Sequence, residues 1–202
     1  MNDVFKHINL SENSKVLDYG TGTGILSHAI SQKYGCEIDA IDISREAVEG
    51  AADAWSDDKI NWIWLDEFDF PCENYDLIIS SQVIEHIHNV GNYLKAINNM
   101  LKRDGVLMIG TPNALHFGYL WRQLRCREDR LVAWSRQMLS DYDKGMDHIN
   151  AWDTYHFITL LASCGFEMIH FFPTEGVVIP RWKFLNIIPS IRKTSGGYIS
   201  TK

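Results

Sequence analysis

Residues 15–30 read KVLDYGTGTGILSHAI, and the rest of the chain is arranged around this stretch. A short apolar run ends at Asp18, glycines follow at positions 20, 22 and 24, and a helical composition comes next. This order predicts a strand, a tight turn and a helix. Glycines at such a crossing let the backbone turn sharply and let a ligand approach without a Cβ in the way. The stretch therefore predicts a site for a small molecule that carries hydroxyl groups and charge.

Length and composition indicate a single domain over residues 1–202 with a sizeable buried core, since 46% of the residues are hydrophobic. No apolar run approaches the roughly 20 residues that span a bilayer, and the first ten residues do not resemble a signal peptide. The four cysteines are widely spaced, and no histidine stands at zinc spacing from them. We expect a soluble, cytoplasmic protein with free thiols and no metal site.

The net charge of −7 is unevenly distributed along the chain. Residues 1–112 carry a net charge of −10, and residues 113–202 carry +3. A basic second half indicates contact with an anionic partner, and a merely solvated surface is the alternative. The sequence contains no dense Lys/Arg run of the kind that lines a nucleic-acid groove, so no nucleic-acid partner is expected.

Strands and helices alternate after the glycine stretch. Strand-like runs occupy residues 36–44, 60–66, 75–81 and 105–113, and residues 84–101 read as one helix. Such alternation predicts a parallel sheet with ligands bound beyond the carboxyl ends of its strands. The polar residues at these strand ends, which should share one edge of the sheet, are Asp18, Asp42, Asp66, Ser80 and Thr111.

The alternation stops after Pro112. Residues 114–147 are long for a connection and carry apolar residues and arginines at helical spacing, which indicates an inserted helical lid. The remaining predicted elements are a helix over residues 152–166, a strand over 167–172, a loop or short helix over 181–191 and a terminal strand over 196–201. The predicted fold is α/β: a Rossmann-like mixed sheet, mostly parallel with a C-terminal antiparallel hairpin, helices on both faces and a lid after the fifth strand.

The glycine spacing distinguishes two designs that bind adenosine. In the dinucleotide fingerprint, the third glycine follows two intervening residues. That position is Ile25 when counted from Gly20 and Ser27 when counted from Gly22, so the pattern fails in both registers. An NAD-dependent oxidoreductase remains as the alternative from another enzyme class.

The sequence resembles the class I S-adenosylmethionine-dependent methyltransferases, and within them the branch of the ubiquinone-biosynthesis O-methyltransferases. The resemblance covers residues 16–172, and its motifs stand in the family's order. They are VLDYGTGTG (16–24), DAIDIS (39–44), WLDEFDFP (64–71), SSQVIEHI (80–87), LKRDGVLMIGTPN (101–113) and HINAWDTYHFITLLASCGFEMI (148–169). Arg103 and Asp104 depart from the pattern, because many members have Pro-Gly there.

The resemblance implies S-adenosyl-L-methionine as cofactor and S-adenosyl-L-homocysteine as product. In this interpretation, Asp18 holds the cofactor's amino group directly or through water, and Asp42 accepts hydrogen bonds from both ribose hydroxyls. A carboxylate suits the second task because it only accepts and can take two donors at once. The loop residues that would pack against the methionine part are Gly20, Thr21, Gly22 and Gly24.

The same resemblance assigns the surroundings of the adenine and the methionine. Ile43 would contact the adenine, Asp66 would reach its amino group, and the Glu67 backbone would lie beside the ring. Ser81 and Gln82 would border the methionine part. A capping role for Asp18 and Asp42, or another carboxylate of the DEFD run in place of Asp66, is the structural alternative.

The candidates for a general base are His148 and His116, because a hydroxyl acceptor benefits from a base and histidine titrates near neutral pH. His148 is favoured because related members often have a histidine just before the last helix. A helix cap or a packed ring is the alternative for each. Asn113 and Tyr119 are the candidates for substrate contact, and Glu85 and His86 are expected to brace the helix after the fourth strand.

The predicted function is transfer of a methyl group to a small-molecule or sugar-containing acceptor that can be anionic, most plausibly at oxygen. An acceptor from surface-polysaccharide or other glycan assembly is the guess within that class, and a quinone-like phenol is its rival. A non-catalytic protein that binds the cofactor or a partner is the further alternative. The sequence does not predict the oligomeric state.

Overall fold

The computed structural model describes residues 8–115, 117–141, 148–173, 178–179, 182–183 and 187–193. The strands are β1 (Lys15–Tyr19), β2 (Glu37–Asp42), β3 (Ile60–Trp64), β4 (Tyr75–Ser81), β5 (Leu101–Gly110), β6 (Phe166–Pro173), β7 (Val178–Ile179), β8 (Trp182–Lys183) and β9 (Ile187–Lys193). The helices are α1 (Ile25–Tyr34), α2 (Arg45–Ala54), α3 (Val90–Met100), α4 (Phe117–Leu124), α5 (Glu128–Asp141) and α6 (Thr154–Ser163).

The main sheet has the strand order β3-β2-β1-β4-β5-β9-β6. The first five of these strands pair in parallel, and β9 pairs antiparallel with both β5 and β6. The order reverses between β1 and β4, and such a switch point leaves a crevice at the carboxyl ends of the strands. The predicted Rossmann-like mixed sheet with a C-terminal antiparallel hairpin is confirmed.

At the central strands β1 and β4, both faces of the sheet are buried, and successive side chains alternate between the faces. Leu17 and Ile78 belong to the apolar cluster that α3 and α6 cover, whereas Val16 and Ile79 belong to the cluster that α1 covers. Because neither face meets water, these strands read as continuous apolar runs rather than as alternating patterns.

The helix predicted over residues 84–101 is wrong at its start. Residues Ile84–His86 form a 3-10 turn, and α3 begins only at Val90, where the Asn89 side chain accepts the backbone N–H of Asn92. An N-cap asparagine satisfies a free N–H of the first turn and fixes where a helix begins. Leu101 already pairs with Tyr75, so β5 also starts earlier than predicted.

The loop or helix predicted over residues 181–191 is also wrong, because β8 and most of β9 lie there. Pro189 lacks an N–H and argues against a central strand. It is accommodated because only residues 190–192 pair with β5, while Pro189 lies opposite Phe171 of β6. The strand predicted over residues 196–201 lies outside the described residues.

The segment between β5 and α6 contains the two helices α4 and α5, as the periodicity predicted. Its two ends meet at the edge of the sheet, because Asn113 forms a β-bridge with Trp152 and the Ala114 N–H donates to the Trp152 carbonyl at 2.8 Å. None of the described helices is both long enough and apolar enough to cross a bilayer.

Candidate active site

The glycine loop between β1 and α1 packs against the protein at two points and is open at a third. A Cβ on Gly20 would lie 2.3 Å from the Val83 side chain, and one on Gly24 would lie 2.5 Å from Trp62. A Cβ on Gly22 would meet nothing within 4 Å, although the φ angle of +54° also favours glycine there. The loop therefore leaves its free space at Gly22, where a ligand can approach the backbone.

Asp42 stands at the end of β2, directly beside this opening. Its Oδ2 accepts the N–H of Gly22 at 2.9 Å, and its Oδ1 accepts the N–H of Ser44 at 2.9 Å. The N–H groups of Gly20 and Thr21 both donate to the carbonyl of the preceding Ile41. A carboxylate has about four acceptor positions, so two remain for ligand hydroxyls. The structure holds Asp42 in position for such a pair.

Asp18 is buried at the end of β1 and has a structural role besides the one predicted for it in cofactor binding. Its Oδ2 accepts the hydroxyl protons of Thr21 at 2.9 Å and of Ser27 at 2.6 Å, which ties the loop to the first turn of α1. Burial raises the pKa of the Asp18 carboxyl, the two hydroxyl bonds lower it, and the nearby Asp42 charge raises it; the net shift is upward. Sequence reasoning missed Ser27, whose only signal is a small polar residue in the first turn of a buried helix.

The predicted adenine side presents an exposed apolar surface after β2 and β3. The Ile43 side chain is 77% exposed, and the Ile43 carbonyl accepts the indole N–H of Trp64 at 3.0 Å. The guanidinium of Arg45 lies over the Trp64 ring at 4.9 Å and pairs with Glu67 at 3.6 Å. Asp66 is exposed in the 3-10 turn Leu65–Glu67. Trp64 and Arg45, which sequence reasoning missed, hold this surface in place.

Ser81 is the last residue of β4 and Gln82 follows it, across the switch point from the glycine loop, and both are exposed. Gln82 has a φ angle of 59°, and its N–H donates to the carbonyl of Gly110 at the end of β5 at 2.8 Å. A left-handed conformation in a residue other than glycine is a local strain that clusters at functional sites. The turn places Gln82 at the crevice.

These residues fit S-adenosylmethionine as the resemblance describes it. The opening above Gly22 admits a ligand against the backbone, Asp42 has free acceptor positions beside it, and Ile43 offers an exposed apolar side chain next to Asp42. The loop, the carboxylate and the apolar surface therefore lie along one edge of the sheet, as the sequence predicted.

A second group of polar side chains lies beyond the end of β4. The side chains of Glu85, His86 and His148 have ligand-type atoms all within 4.8 Å of one another, and the two imidazole rings stand 5.0 Å apart at their centroids. The N–H groups of Ile149 and Asn150 donate to the Glu85 carbonyl at 2.9 and 3.0 Å. These two bonds hold His148 beside His86.

The Glu85 carboxylate is fully buried, and within the described residues neither of its oxygens has a hydrogen-bond partner. A buried carboxylate without a partner is costly unless a proton or a cation compensates it. One carboxylate and two imidazoles can hold a divalent cation, or they can share a proton. The cysteine and histidine spacings predicted no metal site, and His148 stands far along the chain from the adjacent Glu85 and His86.

The other predicted substrate and catalytic residues are less well placed or lie outside the described part. Asn113 is buried, and its Oδ1 accepts the N–H of Leu115 at 2.8 Å, which is a structural bond. Tyr119 belongs to α4, and its side chain is outside the described part of the chain, as is all of His116. Of the two candidate bases, His148 lies in the described part, where it stands beside His86.

A family model described as "Methyltransferase domain" matches residues 4–171. The chain belongs to this methyltransferase family. The match confirms the predicted resemblance, and the alternative of a dinucleotide-binding oxidoreductase receives no support from it. Family membership and the geometry of the loop both support the predicted cofactor, S-adenosylmethionine.

Individual relatives of this methyltransferase-family chain are distant. The ubiquinone biosynthesis O-methyltransferase of Bradyrhizobium diazoefficiens is 31% identical over 104 residues, which are 49% of this chain and 40% of that protein. The phosphoethanolamine N-methyltransferase of Plasmodium falciparum is 36% identical over 111 residues, 52% of this chain and 42% of that protein. This chain thus spans less than half the length of these curated relatives.

A solved S-adenosylmethionine-dependent methyltransferase from Mesorhizobium loti superposes with a TM-score of 0.69 at 14% identity, covering 95% of this chain and 96% of that one. At this identity, the likeness establishes the fold alone. It agrees with the strand order and with the switch point that the residues themselves define.

Proposed function

We propose that this chain transfers the methyl group of S-adenosylmethionine to a small-molecule or sugar-containing acceptor, most plausibly at oxygen. The observation that carries the proposal is the opening at Gly22, whose N–H is bound to Asp42, at the switch point of a methyltransferase-family sheet. A carboxylate fixed beside an open backbone suits a ligand with a pair of hydroxyls.

The residues around the opening would each bind a different part of the cofactor. Asp42 accepts the two ribose hydroxyls, the loop around Gly22 lies against the methionine part, and Ile43 covers one face of the adenine. Bound in this way, the cofactor supplies a methyl group already activated by its sulfonium. The protein then mainly has to align the acceptor, and such positioning can account for roughly 7–11 kcal/mol of a barrier.

His148 is the general base we favour. Its backbone neighbours are bonded to the Glu85 carbonyl, which fixes the ring next to His86 and to a buried carboxylate. An imidazole in this position can act as a general base and take up the proton of the acceptor's hydroxyl. An acceptor that is already ionised would need no such base.

An anionic acceptor is favoured by the basic second half of an otherwise acidic chain. The two relatives described above carry names that differ in the methylated atom, oxygen in one and nitrogen in the other. The assignment of oxygen as the methylated atom therefore rests on the branch-specific motifs around residues 80–87 and 101–113. Within this proposal, the acceptor belongs to glycan assembly in the cytoplasm, and a quinone-like phenol is the alternative acceptor.

The cofactor assignment is tested by calorimetric titration with S-adenosylmethionine and S-adenosylhomocysteine. Asp42→Ala should weaken both at least about tenfold, because each ribose hydroxyl loses a charged acceptor. Asp53→Ala, at an exposed position of α2, is the matched control and should change the affinity less than twofold. Unchanged affinity in Asp42→Ala would refute the ribose assignment.

The reaction is tested by incubating the protein and methyl-labelled cofactor with fractionated metabolites and identifying the labelled product. An O-methylated sugar or phenol is the expected result, and His148→Ala should lower the rate while cofactor affinity is retained. Labelling of amines alone would contradict the oxygen assignment. Cofactor binding without transfer to any fraction would favour the non-catalytic alternative.

A further inference from the structure

The helices α4 and α5 border an open cavity of about 520 Å³, and none of its described lining residues belongs to the candidate cofactor site. Its described lining contains no acidic residue and includes three arginines and three large apolar residues, namely Trp121, Arg122, Arg125, Arg130, Leu131 and Trp134. The cavity is therefore a basic, partly apolar site in a chain whose net charge is −7.

Among the described residues, no carboxylate compensates the positive charge of the cavity. Within the part that the structure describes, Arg122, Arg125 and Arg130 have no carboxylate within ion-pair distance, whereas the neighbouring Arg127 pairs with Asp129 at 3.1 Å. Three unpaired guanidinium groups around one cavity repel each other. An anionic ligand would relieve this repulsion.

Two of these guanidinium groups are already held in place by aromatic rings. Arg122 of α4 lies 4.8 Å from the ring centroid of Trp134 in α5, and Arg125 lies 4.4 Å from that of Trp121. Stacking occupies the flat face of a guanidinium and leaves its in-plane N–H donors free for bidentate contact with phosphate. The donors are thus oriented before a ligand arrives.

The apolar half of the lining is also exposed. Trp121 is 46% exposed, Trp134 is 43% exposed and Leu131 is 53% exposed, values that are high for such large apolar residues. Burying them against a ligand is favourable, because their apolar surface is then removed from water. A group that suits the whole cavity therefore combines a phosphate with an apolar or aromatic body.

The cavity is close to the acceptor side of the sheet along the chain. Helix α4 begins at Phe117, shortly after β5 ends at Gly110, and the bridge between Asn113 and Trp152 closes the base of the segment at the sheet edge. The segment that carries the cavity therefore leaves and rejoins the sheet at the edge where the strands end, which is where an acceptor would enter.

We propose that the cavity between α4 and α5 binds the phosphate or diphosphate of a phosphorylated acceptor, whose apolar or aromatic part packs on Trp121, Leu131 and Trp134. The inference rests on the proposed function in taking the ligand to be the acceptor. The same chemistry is found in a nucleoside diphosphate and in a prenyl diphosphate, and the experiment separates the two.

The test is calorimetric titration of the full chain with uridine diphosphate and with farnesyl diphosphate, each beside its uncharged counterpart, uridine or farnesol. At least one diphosphate should bind about tenfold or more tightly than its counterpart, because its phosphate oxygens accept charged hydrogen bonds that the uncharged counterpart does not. Binding of the uridine ester would identify a nucleoside diphosphate as the ligand, and binding of the farnesyl ester would identify a prenyl diphosphate. Equal affinity for the uncharged counterpart, or no binding of either diphosphate, overturns the proposal.

Variants test whether the cavity is the site. Arg125→Gln should weaken the diphosphate about tenfold, and Arg136→Gln, on α5 but outside the lining, should change it less than twofold. Equal losses in both variants, or binding only to phosphatidylglycerol vesicles, would overturn the cavity in favour of a general surface charge. Far-ultraviolet circular dichroism confirms that both variants retain their helices.

Failure of this inference is distinguishable from failure of the proposed function. Diphosphate binding is measured without turnover, and S-adenosylhomocysteine binding is measured in the same preparations. Loss of S-adenosylhomocysteine binding with diphosphate binding intact would count against the methyltransferase proposal alone. The reverse result would count against the cavity alone.

Discussion

At the scale of single residues, the glycines of one loop have separate tasks. Gly20 and Gly24 are required by the protein itself, because a Cβ at either position would collide with Val83 or with Trp62. Gly22 is surrounded by open space, and its N–H is bound to Asp42. Three identical residues in the sequence thus divide into two that allow packing and one that allows a ligand to approach.

Alanine substitutions should separate these tasks. Gly22→Ala should cost about 1 kcal/mol of unfolding free energy through its positive φ, and it should weaken S-adenosylhomocysteine at least about tenfold. Gly20→Ala should cost roughly 2–5 kcal/mol, since it adds a collision with Val83. Urea unfolding measures the free energy of unfolding, and calorimetric titration measures the affinity for S-adenosylhomocysteine. A destabilised Gly22→Ala protein with normal cofactor affinity would contradict the assignment of the open space.

Asp18 is expected to make the free energy of unfolding depend on pH. Its pKa is raised above the ordinary value of 3.8, so the folded state holds the proton more tightly than the unfolded state. The stability that this group contributes is full below pH 3.8 and is lost as the pH rises through the folded pKa. Asn at this position stays neutral and can still accept the hydroxyls of Thr21 and Ser27.

Asp18→Asn should therefore be more stable than the native chain at pH 7, and this advantage should shrink towards about pH 4. Urea unfolding without cofactor at a series of pH values provides the measurement. Asp53→Asn, which replaces an exposed carboxylate, serves as the control and should show no such trend. A pH-independent difference for Asp18→Asn would mean that burial of its charge is not the cause.

At the scale of elements, the connection after β4 determines where the candidate base can stand. A 3-10 turn and the Asn89 cap delay the start of α3 to Val90, which leaves Glu85 and His86 on an irregular segment. The segment before α6 then binds to it through the Glu85 carbonyl. A continuous helix from residue 84 would engage that carbonyl in its own ladder and would not hold His148.

Removing the cap should loosen this connection. Asn89→Ala should lower the free energy of unfolding by about 1 kcal/mol, because the N–H of Asn92 loses its acceptor. Asn92→Ala changes an exposed side chain in the same helix and is expected to be neutral or slightly stabilising. Chemical denaturation of the two variants side by side makes the comparison. Equal effects would show that the cap does not stabilise α3.

At the scale of the whole molecule, the cofactor residues come from the ends of several strands that are distant in the sequence. A ligand that contacts the ends of β1, β2 and β4 binds only the folded sheet. It should therefore stabilise the entire domain rather than one loop, by mass action.

S-adenosylhomocysteine at about 100 times its dissociation constant should raise the free energy of unfolding by about 2.7 kcal/mol. Thermal or urea unfolding with and without the ligand measures the change. NADH at the same concentration should have no effect, because the glycine spacing does not fit a dinucleotide. Stabilisation by NADH alone would revive the oxidoreductase alternative.

The residues that sequence reasoning found and those that it missed differ in kind. Asp18, Asp42 and the glycines were predicted because they stand in one contiguous pattern or at the next strand end. Ser27 and Trp64 were missed because each acts through a contact made only after folding, to Asp18 in one case and to the Ile43 carbonyl in the other. Such contacts leave no local signal.

The sequence by itself determined the strand–turn–helix around residues 15–30, the alternation that produces a parallel sheet and the family to which the chain belongs. These depend on local propensity and on short-range periodicity, which neighbouring residues carry. Only the tertiary structure decided that β9 enters the sheet beside β5 despite Pro189, that Glu85, His86 and His148 meet, and that arginines and tryptophans of α4 and α5 share one cavity. Each of these depends on contacts between segments far apart in the chain, and only the packing of the whole domain brings such segments together.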